Sequence, residues 1–333
     1  MSHHDRRRTT ALIVVAVVIV ALCLASVVFG ARDIALGDVI AALRGHDDTI
    51  AQTAVHRRIP RTLLALVVGA SLGLSGAVMQ GITRNPLADP GLLGVTAGAS
   101  LAVVATMAFV GISSPIAITW VAVVGAAVTA VFVYQIGSAG RGGATPLKLA
   151  LAGAAISAAL SSLTSAVMLP RLESLNDYRF WQIGGVGGAS TESLVQVLPF
   201  LIAGAVLCLL SARGLNSLAL GDDLAAGLGE KIARTRALAA LGSVLLCGAA
   251  TALAGPIGFV GLVVPHACRL LVGPDHRWLL PFSLAVGAAL LVASDILGRV
   301  VARPDEIDVG IITALLGAPI FIAIVRRQRA RAL

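Results

Sequence analysis

Charge is what this sequence has least of. Only 13% of its 333 residues are Asp, Glu, Lys or Arg, about half the share of a soluble domain. A water-facing globular surface is therefore excluded for most of the chain. Aromatic residues make up 4%, with 2 Tyr and 3 Trp, which argues against an aromatic-girdled outer-membrane barrel. The four cysteines, Cys23, Cys208, Cys247 and Cys268, fall in or beside apolar runs without paired ligand spacing. That pattern excludes a zinc site and leaves them as small buried hydrophobes. No phosphate loop of the form GxxxxGK[ST] occurs, so ATP hydrolysis is not expected of the chain itself. The expectation is a protein that is not an enzyme and carries no cofactor.

What is abundant is apolar sequence: 57% of residues are hydrophobic and the mean hydropathy is +0.93. A bilayer core needs about 20 apolar residues per helix, and about ten such runs follow one another. They lie near 11–30, 62–80, 91–110, 115–136, 147–168, 194–211, 237–254, 257–271, 279–297 and 309–325. The first follows Arg6-Arg7-Arg8 and is too long for a signal peptide, so it reads as an uncleaved helix. Runs 91–110 and 257–271 are glycine-rich and flanked by prolines. Such interrupted segments are tolerated only where protein or a water-filled cavity covers the backbone. The fold class expected is an all-α integral membrane protein, one polytopic domain over 1–333. Five spans per half would set the halves in inverted topology. A faint echo agrees, with Gly69-Ala70 then Gly76 matching Gly248-Ala249 then Gly255.

Orientation follows from the loops. With the N-terminus in the cytoplasm, sixteen of the 25 basic residues fall inside and nine outside. The positive-inside rule then places both termini in the cytoplasm of a plasma or inner membrane. The net charge of +8 thus reflects loops that set topology, with no nucleic-acid partner implied. The loop read over 31–61 resists the rule, because it clusters Arg57, Arg58 and Arg61 on the outside.

Five stretches stand out. Arg58-Ile59-Pro60-Arg61 leads into Gly69-Ala70-Ser71-Leu72 and Ser75-Gly76-Ala77-Val78-Met79-Gln80. Next comes Asn85-Pro86-Leu87-Ala88-Asp89-Pro90, then Trp181-Gln182-Ile183-Gly184-Gly185. Leu218-Ala219-Leu220-Gly221-Asp222-Asp223 runs through Ala226 to Gly229, and Gly258-Phe259-Val260-Gly261 runs to Pro265-His266. Physically, each proline of the second stretch disfavours helix in the residue before it, making an ordered turn. Asp222 and Asp223 suit the start of a short helix, inside the longest charged inner segment, 212–236. His266 and His276 lack partners at ligand spacing and read as structural.

Together these motifs resemble the permease family of ABC importers for ferric siderophores, haem and vitamin B12, the type II importers with ten helices per subunit. The resemblance covers residues from about 30 to 325 in the family's order. It implies a cytoplasmic ABC ATPase, an extracytoplasmic substrate-binding protein and a second permease copy or a related permease as partners, with lipid around them. It implies that Arg58, Arg61 and Arg299 receive acidic residues of the binding protein, for which a guanidinium fork is suited. Asp295, four residues before Arg299, is placed to pair with it. The resemblance also makes Leu220, Gly221, Asp222, Asp223, Ala226 and Gly229 the ATPase-coupling region, and sets the Asn85, Pro86, Asp89, Pro90 turn beside the translocation path. Ferric siderophore is the expected cargo, with haem or vitamin B12 as alternatives. An ion-coupled secondary transporter would usually carry acids or histidines in mid-span, and the one candidate, Asp295, sits toward an outer end beside an arginine.

Overall fold

The computed structural model describes residues 3–112, 114–139, 145–171, 176–188 and 191–329. Among them are fourteen α-helices, two short 3-10 turns and no strand. In order they are α1 (His3–Val28), α2 (Leu36–Leu43), α3 (Ile50–Thr83), α4 (Val95–Phe109), α5 (Pro115–Ser138), α6 (Pro146–Met168) and α7 (Asn176–Ile183). There follow α8 (Thr191–Leu210), α9 (Ala212–Ala219), α10 (Asp222–Gly227), α11 (Ile232–Ala254), α12 (Val260–Val272), α13 (His276–Val301) and α14 (Val309–Arg329). Seven of the described helices, α1, α3, α5, α6, α8, α11 and α13, are long and apolar enough to cross a membrane. Three shorter apolar helices accompany them: Val95–Phe109, Val260–Val272 and Val309–Ala323. Of the basic residues used for orientation, Arg141 and Arg331 lie outside the described residues.

The segment read as a loop over 31–61 is corrected. It holds α2 and the first three turns of α3. A capping box starts α3 at Ile50: Thr49 Oγ1 accepts from Gln52 N–H, and Gln52 Oε1 accepts from Thr49 N–H. Two unsatisfied helix-end donors are met reciprocally in this way. The helix then continues through Pro60, so Arg58 and Arg61 are helical residues on successive turns' faces rather than loop residues.

Helix α3 is the axis of the bundle. In its most apolar stretch 78% of residues are buried, against 6% for α1 and 11% for α6, so those two form the periphery. Small residues let partners reach the α3 backbone. A Cβ on Gly69 would strike the Gly287 carbonyl of α13, and one on Gly76 would strike Gly261 of α12. Across to α11, Ser75 and Ser243 clasp each other: their hydroxyls lie 2.6 Å apart and each is within reach of the other's carbonyl, so their two protons are shared among three contacts. These polar contacts join helices between which lipid offers no hydrophobic driving force.

Helices α1, α3 and α13 carry polar or charged residues at or beside both ends and mostly apolar residues between. Arg8 lies over the Trp278 ring, 5.7 Å from its centroid, while Ser26 meets Arg299 at the far end. At 1.5 Å per residue the stretches Arg8–Ser26, Trp278–Arg299 and Arg61–Arg84 span roughly 27, 31 and 34 Å. Those lengths match a hydrocarbon core of about 30 Å. Polar chemistry is thereby sorted into two clusters a bilayer apart.

Candidate functional site

The first cluster sits at the Arg61 end. Arg61 Nε and Nη2 reach Asp295 Oδ1 at 2.9 and 2.8 Å, and Nη1 reaches Glu306 Oε2 at 2.5 Å. Arg299 Nη2 lies 2.9 Å from Asp295 Oδ2, an ion pair whose angles fall outside hydrogen-bond geometry. Asp295 is 1% exposed, so it is a buried carboxylate shared by two guanidinium groups. The i,i+4 spacing read in the sequence does bring Asp295 and Arg299 together.

Arg58 and Arg299 are not free cations here. Arg58 donates to the carbonyls of Val27, Val28 and Arg32 at 3.0, 2.8 and 2.9 Å. Arg299 donates to the Ser26 and Phe29 carbonyls and to Ser26 Oγ at 3.0, 3.2 and 2.6 Å. The last carbonyls of a helix have no partner of their own and carry partial negative charge. Two buried arginines from α3 and α13 therefore cap the end of α1. Thr62 donates to the Arg58 carbonyl, so the Ser26 hydroxyl, 2.6 Å away, donates to Thr62. Around this knot a cleft of about 560 Å³ opens, lined by Arg32, Arg57, Arg58, Arg61, Arg299 and Glu306. Arg57 is exposed.

The second cluster sits at the Asp222 end. Asp222 begins α10 after Gly221, whose φ is +109°. Its Oδ1 accepts from Arg84 Nη2 at 2.7 Å and from Arg236 Nη2 at 2.9 Å, tying α10 to the ends of α3 and α11. Asp223 makes neither contact and is exposed, as are Leu220, Leu224, Ala226, Leu228 and Gly229. Among these, Leu220, Leu224 and Leu228 are 58%, 63% and 69% exposed, an apolar and acidic edge. Beside it, Asn216 of α9 accepts from His276 N–H and Nδ1–H at 2.9 and 2.8 Å and donates to Asp275 at 2.6 Å. Partial burial pushes the Asp275 carboxyl up, but hydrogen bonds from Arg277 N–H and Asn216, with the charges of Arg277 and Arg8, hold it below the usual range. His276 thus serves packing between α9, α13 and Gly81 of α3.

The turn between α3 and α4 folds as its prolines require. Asn85 Oδ1 accepts from Leu87 N–H at 3.0 Å and the Asn85 carbonyl accepts from Ala88. Asp89 Oδ1 accepts from Gly91 N–H at 2.8 Å, with Pro90 opening a 3-10 turn. Asp89 Oδ2 faces Gly261 at the start of α12, and Gln80 donates to the Gly261 carbonyl at 3.1 Å. Asp89 is a second acid set among the helices, half-buried against the start of α12, which the sequence reading of Asp295 as the lone candidate missed.

The family model for the FecCD transport family matches residues 17–327. The chain belongs to the FecCD transport family. Two curated relatives align over nearly all of both chains. Probable siderophore transport system permease protein YfiZ of Bacillus subtilis (strain 168) is 44% identical over 308 residues, 92% of each chain. Ferric enterobactin transport system permease protein FepD of Escherichia coli (strain K12) is 46% identical over 305 residues, 91% of each. A solved inward-facing transporter, assigned to the metal-chelate ABC type, superposes with a TM-score of 0.84 at 31% identity, covering 96% of this chain and 99% of that one. Within this FecCD framework, sequence reasoning missed Ser26, Arg84, Asn216, Arg236 and Glu306. A signal existed for Arg84 and Arg236, which both border loops that the sequence reading placed inside, but Ser26 and Glu306 are joined to the arginines only by the fold.

Proposed function

We propose that this chain is the membrane-spanning subunit of an ATP-driven importer and forms half of the translocation pathway for a ferric siderophore. The observation that carries the reading is the pair of polar clusters about 30 Å apart, joined by the same helices α3 and α13. Energy comes from a separate cytoplasmic ATPase, which docks on the exposed Leu220, Leu224, Leu228 and Asp223 edge of α10 and its flanks. Gly221, Asp222, Ala226 and Gly229 set that edge in place. An extracytoplasmic binding protein docks at the other end. There Arg61 meets its acidic residues, while Arg58 and Arg299 hold the rim in shape by fixing the end of α1. Both termini are cytoplasmic, in a plasma membrane. The seven long helices and the three short ones make ten spans, in two inverted halves of five. The short α4 and α12 are the interrupted third member of each half, as in other transporters. The turn Asn85, Pro86, Asp89, Pro90 borders the pathway, and a second permease copy or a related permease completes it.

The relatives with siderophore cargo favour that chelate class over haem or vitamin B12. The deciding experiment is uptake of iron-loaded siderophore into cells that depend on this permease. ATP depletion should abolish uptake while collapse of the ion gradient at constant ATP should not. The reverse pattern would establish an ion-coupled transporter instead.

A further inference from the structure

Glu306 occupies an unusual place in the docking cleft. It is the one acid among the described lining residues, surrounded by Arg32, Arg57, Arg58, Arg61 and Arg299. Its carboxylate takes Arg61 Nη1, the only Arg61 nitrogen that does not reach Asp295. Glu306 is 41% exposed, whereas Asp295 is 1% exposed. Of the two carboxylates on Arg61, one is therefore built into the bundle and the other lies at the water edge on the short segment between α13 and α14. Arg58 and Arg299 are engaged by carbonyls at and just beyond the end of α1, and Arg299 also by Ser26 Oγ and Asp295. The Arg57 and Arg32 side chains have no ion-pair partner among the described residues.

We propose that Glu306 is an internal stand-in for the binding protein's acidic side chain: it holds the outward donor of Arg61 until docking exchanges one carboxylate for the other. This rests on the reading of the Arg61 end as the docking face. The exchange conserves ion pairing at Arg61. An exposed pair in water is weak, typically below about 1 kcal/mol, so Glu306 can be displaced without unfolding the rim. Asp295 cannot play this part, since a buried carboxylate leaving two arginines would strand their charge. Arg57 and Arg32 remain uncommitted and supply the attraction that guides an acidic surface to the cleft, because rim charges act mainly on association rate. The device lowers the affinity of any incoming surface by the same modest factor, so a weakly acidic surface falls below useful docking before a strongly acidic one does.

The test uses the permease assembled with its ATPase in nanodiscs, and as probe the purified binding protein that supports uptake through it. Glu306→Gln should tighten docking by about two- to fivefold, the range expected when a competing exposed ion pair is removed. Asp305→Asn makes the same charge change one residue away, on an exposed side chain with no ion pair among the described residues. It should leave affinity at the wild-type value, as should Glu306→Asp, which keeps the competitor. Arg57→Gln should slow association. Unchanged melting of each variant certifies that the rim is intact. Weaker or unaltered docking of Glu306→Gln would overturn the proposal, and so would equal tightening by Asp305→Asn, which would reduce the effect to net charge. Loss of docking by wild type and variants alike would instead overturn the assignment of this face to a binding protein, and the inference with it.

Discussion

Asp295→Asn keeps the shape of the side chain and removes the charge that Arg61 and Arg299 share. The magnitude can be worked from the contrast with Glu306, since both acids pair with the same guanidinium. Asp295 is 1% exposed and Glu306 41%. Breaking a buried pair by removing one partner costs about 3–5 kcal/mol, because the remaining charge is stranded. Arg299 keeps Ser26 and Phe29 as acceptors, and Arg61 keeps Glu306. The loss therefore belongs at the low end, about 3 kcal/mol, or roughly 150-fold in the folding equilibrium. Glu306→Gln removes an exposed partner and should cost about 0–1 kcal/mol. Both variants can be measured by reversible unfolding in mixed detergent micelles, followed by tryptophan fluorescence. A further substitution, Arg61→Gln, should recover part of the Asp295→Asn loss by removing one stranded charge. Equal losses for Asp295→Asn and Glu306→Gln, or no recovery in the double variant, would refute the argument that burial decides the worth of these pairs.

Asp222→Asn releases Arg84 and Arg236 from a partly exposed carboxylate, so it should shift stability by no more than about 1 kcal/mol. It should nevertheless lower substrate-stimulated ATPase turnover of the assembled transporter, because α10 loses both anchors. Gly76→Val should prevent folded protein from accumulating in membranes, since its side chain would meet the Gly261 backbone; recovery of normal yield by size-exclusion chromatography would contradict that contact. Single cysteines replacing Asp47 and Asp223 should react with an impermeant thiol reagent from opposite sides of sealed vesicles, and reaction from one side would break the topology.

The apolar runs were legible because a bilayer demands long apolar helices and the chain offers little else. Motif order gave the family, and the Asp222-Asp223 start of α10 was readable from the preference of acids for helix N-termini. The beginning of α3 is not visible to an apolar-run reading, which starts at 62, because the first turns of the helix, from Ile50, carry polar residues. Yet Thr49 and Gln52 spell a capping box three residues apart, and the signal was there. The engagement of Arg58 and Arg299 was not readable. Their acceptors are backbone carbonyls at and just beyond the end of α1, 26–31 and 270–273 residues away respectively, and carbonyls leave no trace in a sequence. Glu306 is similar, since its pairing with Arg61 spans 245 positions. Asp89 was placed in a turn, but its approach to Gly261 depends on how closely α12 meets α3.

The central claim is that this chain conducts a ferric chelate inward under ATP power supplied by a separate subunit. Proteoliposomes holding the permease and its ATPase, with ATP enclosed on the ATPase side and binding protein loaded with iron siderophore outside, test it most directly. The account predicts iron accumulation that requires ATP, hydrolysis-competent ATPase and binding protein together, and that is indifferent to imposed proton or sodium gradients. Accumulation driven by an ion gradient with no ATPase present would contradict it.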